Sequence, residues 1–283
     1  MGWVGSAIYR LLKKSQYWGN DNCSILVPTR KELNLIDGKL VESWFNKNKP
    51  TVVIIAAAKV GGIHANSSMP FGFLHENLKI QTNIIESSYK NGVKRLLFLG
   101  SSCIYPKFAK QPIKEDYLLK GELEKTNECY AIAKIAGIKL CEALRIEHNF
   151  DAISLMPTNL YGPNDNYHEK NSHVMPALIK KFCDAEKRKQ KTVTCWGSGE
   201  PMREFLHVDD LAEAVIFCLE NWSPDDKNAP TDENGIPLSF LNVGTGKDIS
   251  IKELALLIAK ECDFKGTIYW DKSMPDGTPR KLL

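Results

Sequence analysis

The chain has 283 residues, of which 43% are apolar and 25% charged, and a formal net charge of +3. That composition fits a globular protein built as one large domain or as a cofactor domain with a smaller partner, and so small a charge excess argues against nucleic acid or a membrane surface as a partner. No apolar stretch is long enough to span a bilayer, the N-terminus lacks the charged-then-apolar order of a signal peptide, and none of the eight cysteines forms a C-x-x-C pair. These features exclude a membrane span and the common zinc patterns, leave no metal expected, and point to reduced thiols in the cytoplasm.

Met1 is followed at once by Gly2-Trp3-Val4-Gly5-Ser6-Ala7-Ile8, the back half of a glycine-rich turn entering a helix. The strand that ordinarily precedes such a turn is missing, so the chain reads as cut at its N-terminus. Ser24–Val27 is expected to be a strand, and Thr51–Ala57 a nearly continuous apolar one. Arg95–Leu99, stopped by Gly100, and Ala152–Met156, stopped by Pro157, are the next two. Helical patterns over Phe73–Lys90 and Tyr130–His148 lie between them. Fully apolar strands alternating with helices predict a Rossmann-type α/β fold, a doubly wound parallel sheet covered on both faces.

From about Gly162 the pattern changes. Asn164–Ser172 is polar and turn-rich, Val174–Lys187 helical, Val193–Trp196 strand-like and Asp209–Glu220 helical, and Pro224–Gly235 is a loop. Asn242-Val-Gly-Thr-Gly246 precedes a helix whose start carries the capping box Ser250/Glu253. Residues 1–162 are therefore expected to form the dinucleotide domain and residues 163–283 mainly a substrate-binding region, some of whose elements return to the sheet. Thr278–Leu283 ends without a closing element, so the C-terminus also reads as cut.

The expected chemistry starts from the dinucleotide. Gly2 and Gly5 have the spacing of the second and third glycines of a pyrophosphate turn, where the backbone must approach phosphate at a helix N-terminus. Arg30, after the second expected strand, replaces the acidic residue common in NAD sites and suits the 2′-phosphate of NADP. Ala56-Ala57-Ala58 leaves room at a strand end. Tyr130 and Lys134, four apart on a helix, share one face. A tyrosine with an unperturbed pKa near 10 transfers protons poorly at neutral pH, and the neighbouring ammonium together with the positive nicotinamide of the oxidised cofactor is expected to favour its phenolate. Ser101, at the end of Arg95–Leu99, lies where ligands bind in such sheets and is placed to hold a reacting carbonyl beside the tyrosine. Together these residues predict a nicotinamide-dependent oxidoreductase.

The constellation resembles the extended short-chain dehydrogenase/reductase family. The resemblance is carried by Ala56–Ile63, Leu97–Pro106, Pro157–Pro163, Asn171–Val174 and Trp196–Asp210 as well as by Ser101, Tyr130 and Lys134. These segments are most similar to members that epimerise and reduce a keto nucleotide sugar. The resemblance implies NADP(H) as cofactor and GDP-4-keto-6-deoxy-D-mannose as substrate. It implies acid/base roles for Cys103 and His173 at sugar carbons 3 and 5, and cofactor contacts from Leu99, Gly100, Ser101, Ser102, Lys134, Pro157, Thr158, Asn159, Leu160 and His173. Lys181, Trp196, Arg203 and Asp276 are implied at the nucleotide sugar, and a homodimer as the assembly. Cys129 stands where the family often has proline. Another nucleotide-sugar epimerase, dehydratase or reductase, or a non-catalytic NADP-binding protein, would use the same scaffold.

Overall fold

The structure is a computed structural model that describes residues 2–14, 23–168 and 171–283; Met1 and residues 169–170 of the expected polar stretch lie outside the described residues. In chain order the elements are α1 (Trp3–Lys14), α2 (Gly38–Asn48), β1 (Val52–Ile55), α3 (Ile63–Ser68), α4 (Pro70–Lys90), β2 (Arg95–Leu99), α5 (Glu128–His148), β3 (Ala152–Pro157) and β4 (Asn159–Tyr161). They continue with α6 (Val174–Lys187), β5 (Thr192–Trp196), β6 (Met202–His207), α7 (Val208–Asn221), β7 (Phe240–Val243), β8 (Asp248–Ser250), α8 (Ile251–Glu261), β9 (Thr267–Asp271) and β10 (Arg280–Lys281).

The central sheet runs β1-β2-β3-β7, with every pair parallel. Parallel strands need helical crossovers, and those crossovers cover both faces. The alternation of side chains along β2 makes this visible. Leu96 and Phe98 enter one core with residues of α2, α4 and α5. Leu97 and Leu99 enter the opposite core with residues of α1 and α7. β3 divides the same way, with Ala152 and Met156 in the first core and Ile153 and Leu155 in the second. This is the Rossmann-type layering that the apolar runs predict.

A third core lies apart from the sheet. Leu178 and Phe182 of α6 pack with Leu254, Ala255 and Ile258 of α8 beside the parallel pair β5-β9. Between this lobe and the main sheet, β6 takes β4 and β10 as parallel neighbours and β8 as an antiparallel one. The Ser250/Glu253 capping box is formed at the start of α8.

One expected strand is absent. Ser24–Val27 is extended but pairs with no strand, and Leu26 and Val27 are 43% and 37% exposed. Among the described residues β1 is hydrogen-bonded to a strand on one edge only, that of β2. An apolar run becomes a strand only with a ladder partner, and none of the described residues supplies one here.

The approach of α5 to β2 depends on a residue without a side chain. A Cβ on Gly137 would stand 2.6 Å from Phe98 Cζ and 3.0 Å from Gln81 Cδ, both buried. Overfilling such a site forces helix and sheet apart. Gly137→Ala is therefore expected to destabilise the chain by about 2 kcal/mol in urea unfolding. A change within about 0.5 kcal/mol would show that the interface has slack.

Candidate active site

The carboxyl ends of β1, β2 and β3 open into a cleft of about 420 Å³ that reaches across to α6, β5, β6 and β10. Its floor is set by the exit from β2. Ser101 has extended backbone, and its hydroxyl oxygen accepts a hydrogen bond from the Cys103 N–H at 3.4 Å as the chain turns through Ser102–Ile104. The Ser101 hydroxyl also faces the Cys103 thiol, whose thiolate form it favours, and Cys103 is held within the same turn. A Cβ on Gly100 would collide with the end of the Met156 side chain, so a larger residue at this strand end requires that side chain to move.

Helix α5 brings Tyr130 and Lys134 to that floor. Phe73 of α4 meets the Tyr130 ring edge-on at 6.3 Å and 82°. The buried Lys134 ammonium donates to the Leu99 carbonyl at 2.7 Å and lies 4.7 Å from the Phe98 ring centre and 5.9 Å from that of Tyr130. Burial lowers the Lys134 pKa to about 8, against an upward pull from Cys103.

The tyrosine departs from expectation. Burial, together with the Cys103 thiolate form, pushes its phenol above the ordinary value rather than down towards phenolate. The physical reason is that the ring is walled in while the ammonium is committed to a backbone carbonyl. At rest the group is a protonated donor. The Cys103 thiol is likewise pushed up by burial, with Lys281, Ser101 and Lys134 pulling the other way. The His173 ring is open to the cleft yet enclosed by its walls, and this enclosure with the Lys281 charge keeps it below the ordinary histidine value. The resting pair is therefore a neutral thiol and a neutral imidazole, with one transferable proton between them.

The far wall is cationic and aromatic. Trp196 is 42% exposed, and the Lys181 ammonium sits 5.3 Å from its ring centre while donating to Thr194 O at 3.0 Å. Lys180 turns away to pair with Asp184 at 3.1 Å, so Lys181 is the one that reaches the cleft. Arg203 is lowered to about 10 by burial, against Asp276 and Glu124, and its guanidinium donates to Met202 O at 2.8 Å. Asp276 accepts from Ser198 N and Oγ, each at 2.8 Å.

Of the residues singled out in the sequence, Gly2, Leu99, Gly100, Ser102, Pro157, Thr158, Asn159 and Leu160 also line this cleft. Two do not. Gly5 lies in the first turn of α1 outside the lining, and Arg30 is exposed in the turn that follows Ser24–Val27. Among the described residues Ser24–Val27 pairs with no strand.

Sequence reasoning missed Lys281 and Glu124. Lys281 sits in the cleft with its pKa lowered by burial to about 8, and Glu124, buried, binds Lys107 at 2.8 Å. Both come from segments without a recognisable local motif. Lys281 arrives on the two-residue β10, which is too short to announce itself as a strand.

A cleft at the carboxyl ends of parallel strands, with a serine, a tyrosine and a lysine on its floor, is the arrangement of a dinucleotide-dependent enzyme acting on a carbonyl. Known proteins similar to this chain agree with that reading. GDP-L-fucose synthase 1 of Arabidopsis thaliana is 53% identical over 282 residues, covering all of this chain and 82% of that protein. GDP-L-fucose synthase of Escherichia coli K12 is 52% identical over 283 residues, covering all of this chain and 85% of that protein. Among solved structures, a GDP-L-fucose synthetase of Naegleria fowleri bound to NADP superposes with a TM-score of 0.82 at 26% identity, covering 99% of this chain and 82% of that one. The model of the NAD dependent epimerase/dehydratase family matches residues 1–230, from the first turn of α1 through the catalytic floor and past α7, and it is to this family that the chain belongs.

Proposed function

We propose that this chain is an NADPH-dependent epimerase and reductase that converts GDP-4-keto-6-deoxy-D-mannose to GDP-L-fucose. The observation that carries the reading is the meeting, in one cleft, of Ser101, Tyr130 and Lys134 with a second proton-transfer pair, Cys103 and His173. A simple reductase needs only the first set. Epimerisation beside a ketone also needs an acid and a base.

The cleft suits the cofactor. Helix α1 opens on Gly2, Trp3 and Val4 with no acidic side chain in its first turn, and space around Gly2 is open, so a pyrophosphate meets backbone N–H groups without repulsion. Gly100, Ser102 and Pro157–Leu160 would hold the nicotinamide half, with Lys134 at its ribose. Bound NADPH supplies the hydride that reduces sugar C4.

The chain's own residues do the rest. Ser101 donates its hydroxyl proton to the C4 oxygen, and Tyr130 donates alongside it. With the carbonyl polarised, the hydrogens on C3 and C5 become acidic, and Cys103 and His173 remove protons from these carbons and return them on the other face. The same two hydroxyls stabilise oxygen charge in enolisation and in reduction, and Tyr130 finally gives its proton to the C4 oxygen. Arg203 and Lys181 hold the diphosphate and Trp196 the base, with Asp276 fixing the loop at Ser198. On this reading residues 1–162 mainly serve the cofactor and residues 163–283 the nucleotide sugar.

We also place the enzyme in the cytoplasm, where its eight free thiols stay reduced, and as a homodimer. Ile132 and Ile146 of α5 and Phe71 of α4 are exposed, at 42%, 84% and 75%, on the helix pair that carries the catalytic residues. Sedimentation at micromolar concentration tests the dimer, and a monomer there refutes it.

The direct test is incubation with GDP-4-keto-6-deoxy-D-mannose and NADPH, following NADPH oxidation and identifying the sugar by NMR. GDP-L-fucose is expected; oxidation yielding a sugar unchanged at C3 and C5 would remove the epimerase from the assignment.

Lys134 adds a pH signature. Its folded pKa is lowered to about 8, so the ammonium is present below that pH and lost above it. A cofactor that needs the charged form loses affinity as pH rises through about 8, approaching tenfold per pH unit. NADPH titrations between pH about 7 and about 9 are expected to show this one-proton dependence in the wild type and to lose it in Lys134→Met. Equal slopes would remove Lys134 from the cofactor site.

A further inference from the structure

Two cysteines that the active site does not use stand side by side in the outer lobe. Cys183 lies in the last turns of α6, and Cys262 caps the C-terminus of α8. They are 79 positions apart in the chain, yet their Sγ atoms are 2.9 Å apart, less than 1 Å beyond the roughly 2.05 Å of a disulfide bond. Both are free thiols and both are half-buried, whereas Cys103, Cys141, Cys195 and Cys218 are buried. Among the described residues no other two sulfurs meet.

We propose that Cys183 and Cys262 form a reversible disulfide site that clasps α6 to α8 in the presence of a small-molecule disulfide of the glutathione class. The Cys183 thiolate attacks one sulfur of the oxidant, forming a mixed disulfide and releasing one equivalent of thiol. Cys262 then loses its proton and attacks the Cys183 sulfur, expelling the second equivalent. The protein loses two hydrogens and the oxidant is reduced to two thiols, so the exchange balances without a metal or oxygen. The order follows from the surroundings. Burial and the carboxylates of its chain neighbours Glu261 and Asp263 disfavour the Cys262 thiolate, so Cys183 is the entering nucleophile and Cys262 resolves the mixed disulfide.

The position gives the clasp its effect. α6 and α8 enclose the small third core, which shares none of its buried residues with the two cores of the central sheet. A covalent tie across it closes a long loop of the unfolded chain and holds the lobe on its own account. α6 also begins at His173 and carries Lys181, two residues before Cys183. The clasp therefore braces the wall that faces the sulfur and imidazole chemistry without consuming a cleft residue.

The test uses the reduced full chain incubated with oxidised glutathione at mildly alkaline pH. The expected result is a mass about 2 Da below that of the same glutathione-labelled chain with both thiols free, a cross-linked peptide pair containing Cys183 and Cys262, and a melting temperature raised by about 5 °C. All three should reverse with dithiothreitol. Cys183→Ser removes the cross-link and the thermal gain, and Cys262→Ser, a second and independent knock-out, stops the reaction at the mixed disulfide on Cys183. The exposed Cys23 takes up glutathione in every variant and reports that the oxidant was active. Recovery of both cysteines as free thiols, or as two separate glutathione adducts, overturns the proposal. So does a wild type that melts no higher after oxidation than Cys183→Ser.

Discussion

Replacing Tyr130 with phenylalanine will slow reduction of the 4-keto sugar about 10³-fold at saturating NADPH, a loss of about 4 kcal/mol of transition-state stabilisation. The ring stays, and with it the edge-on contact with Phe73, so the fold and the cofactor affinity are expected to hold. Only the proton donor is gone. The structure sharpens what that donor is. Burial keeps the phenol protonated at rest, which is the state a reductase needs when the C4 oxygen collects its proton.

The same variant separates the two reactions. Ser101 still polarises the carbonyl, and Cys103 and His173 still face C3 and C5, so solvent deuterium is expected to enter those carbons in Tyr130→Phe while NADPH oxidation nearly stops. Single-turnover absorbance measures the hydride step and NMR the exchange. Unchanged turnover would sink the assignment of Tyr130. Loss of exchange in proportion to turnover would instead make Tyr130 the chief polarising group in both stages.

What the sequence revealed and what it hid divide by distance along the chain. Ser101 was legible because it follows β2 within one turn, and a strand end in a parallel sheet is already at the cleft, whereas Cys103 entered only through the family resemblance. Tyr130 and Lys134 were legible because helix geometry fixes residues four apart on one face. The capping box at Ser250 was legible for the same local reason. Arg30 stays a proposal for the 2′-phosphate of the cofactor, since its role requires Ser24–Val27 to be a paired strand and pairing depends on residues elsewhere in the chain. The upward shift at Tyr130 was not legible because spacing says nothing of burial, its largest cause. Lys281 was hidden because β10 is two residues long and becomes meaningful only beside Met202 and Arg203 of β6.

Glu204 was the least legible residue of all, and its replacement carries the largest stability change expected in the molecule. A glutamate in the middle of Met202–His207 reads as a surface charge, yet its exposure is 0%. Its carboxylate is satisfied by backbone from two distant segments. Oε1 accepts from the N–H groups of Thr245 and Gly246, the latter at 2.7 Å, and Oε2 accepts from Leu283 N at 2.8 Å. A Cβ on Gly244 would collide with the same carboxylate, so the glycine lets the loop close over it. Its own carbonyl takes Asn159 Nδ2 at 2.9 Å and Thr158 Oγ1 at 3.2 Å, which ties β6 to the segment implied at the nicotinamide. Glu204→Ala leaves the half-buried Leu283 N–H and the Thr245 and Gly246 N–H groups without this acceptor and empties a fully buried site. Water reaches the exposed Thr245–Gly246 loop, so the expected loss is about 3 kcal/mol, or roughly 6 °C in melting temperature, with Glu204→Gln falling between because an amide accepts on one side only. Leu283 is two residues beyond Lys281, so the alanine variant should also lose activity beyond its loss of folded fraction, measured at a temperature where it is fully folded. A destabilisation under about 1 kcal/mol would mean that water replaces the carboxylate at these donors, and that β10 is held by Gln111 and Ile113, through their bonds to Leu282, rather than by Glu204.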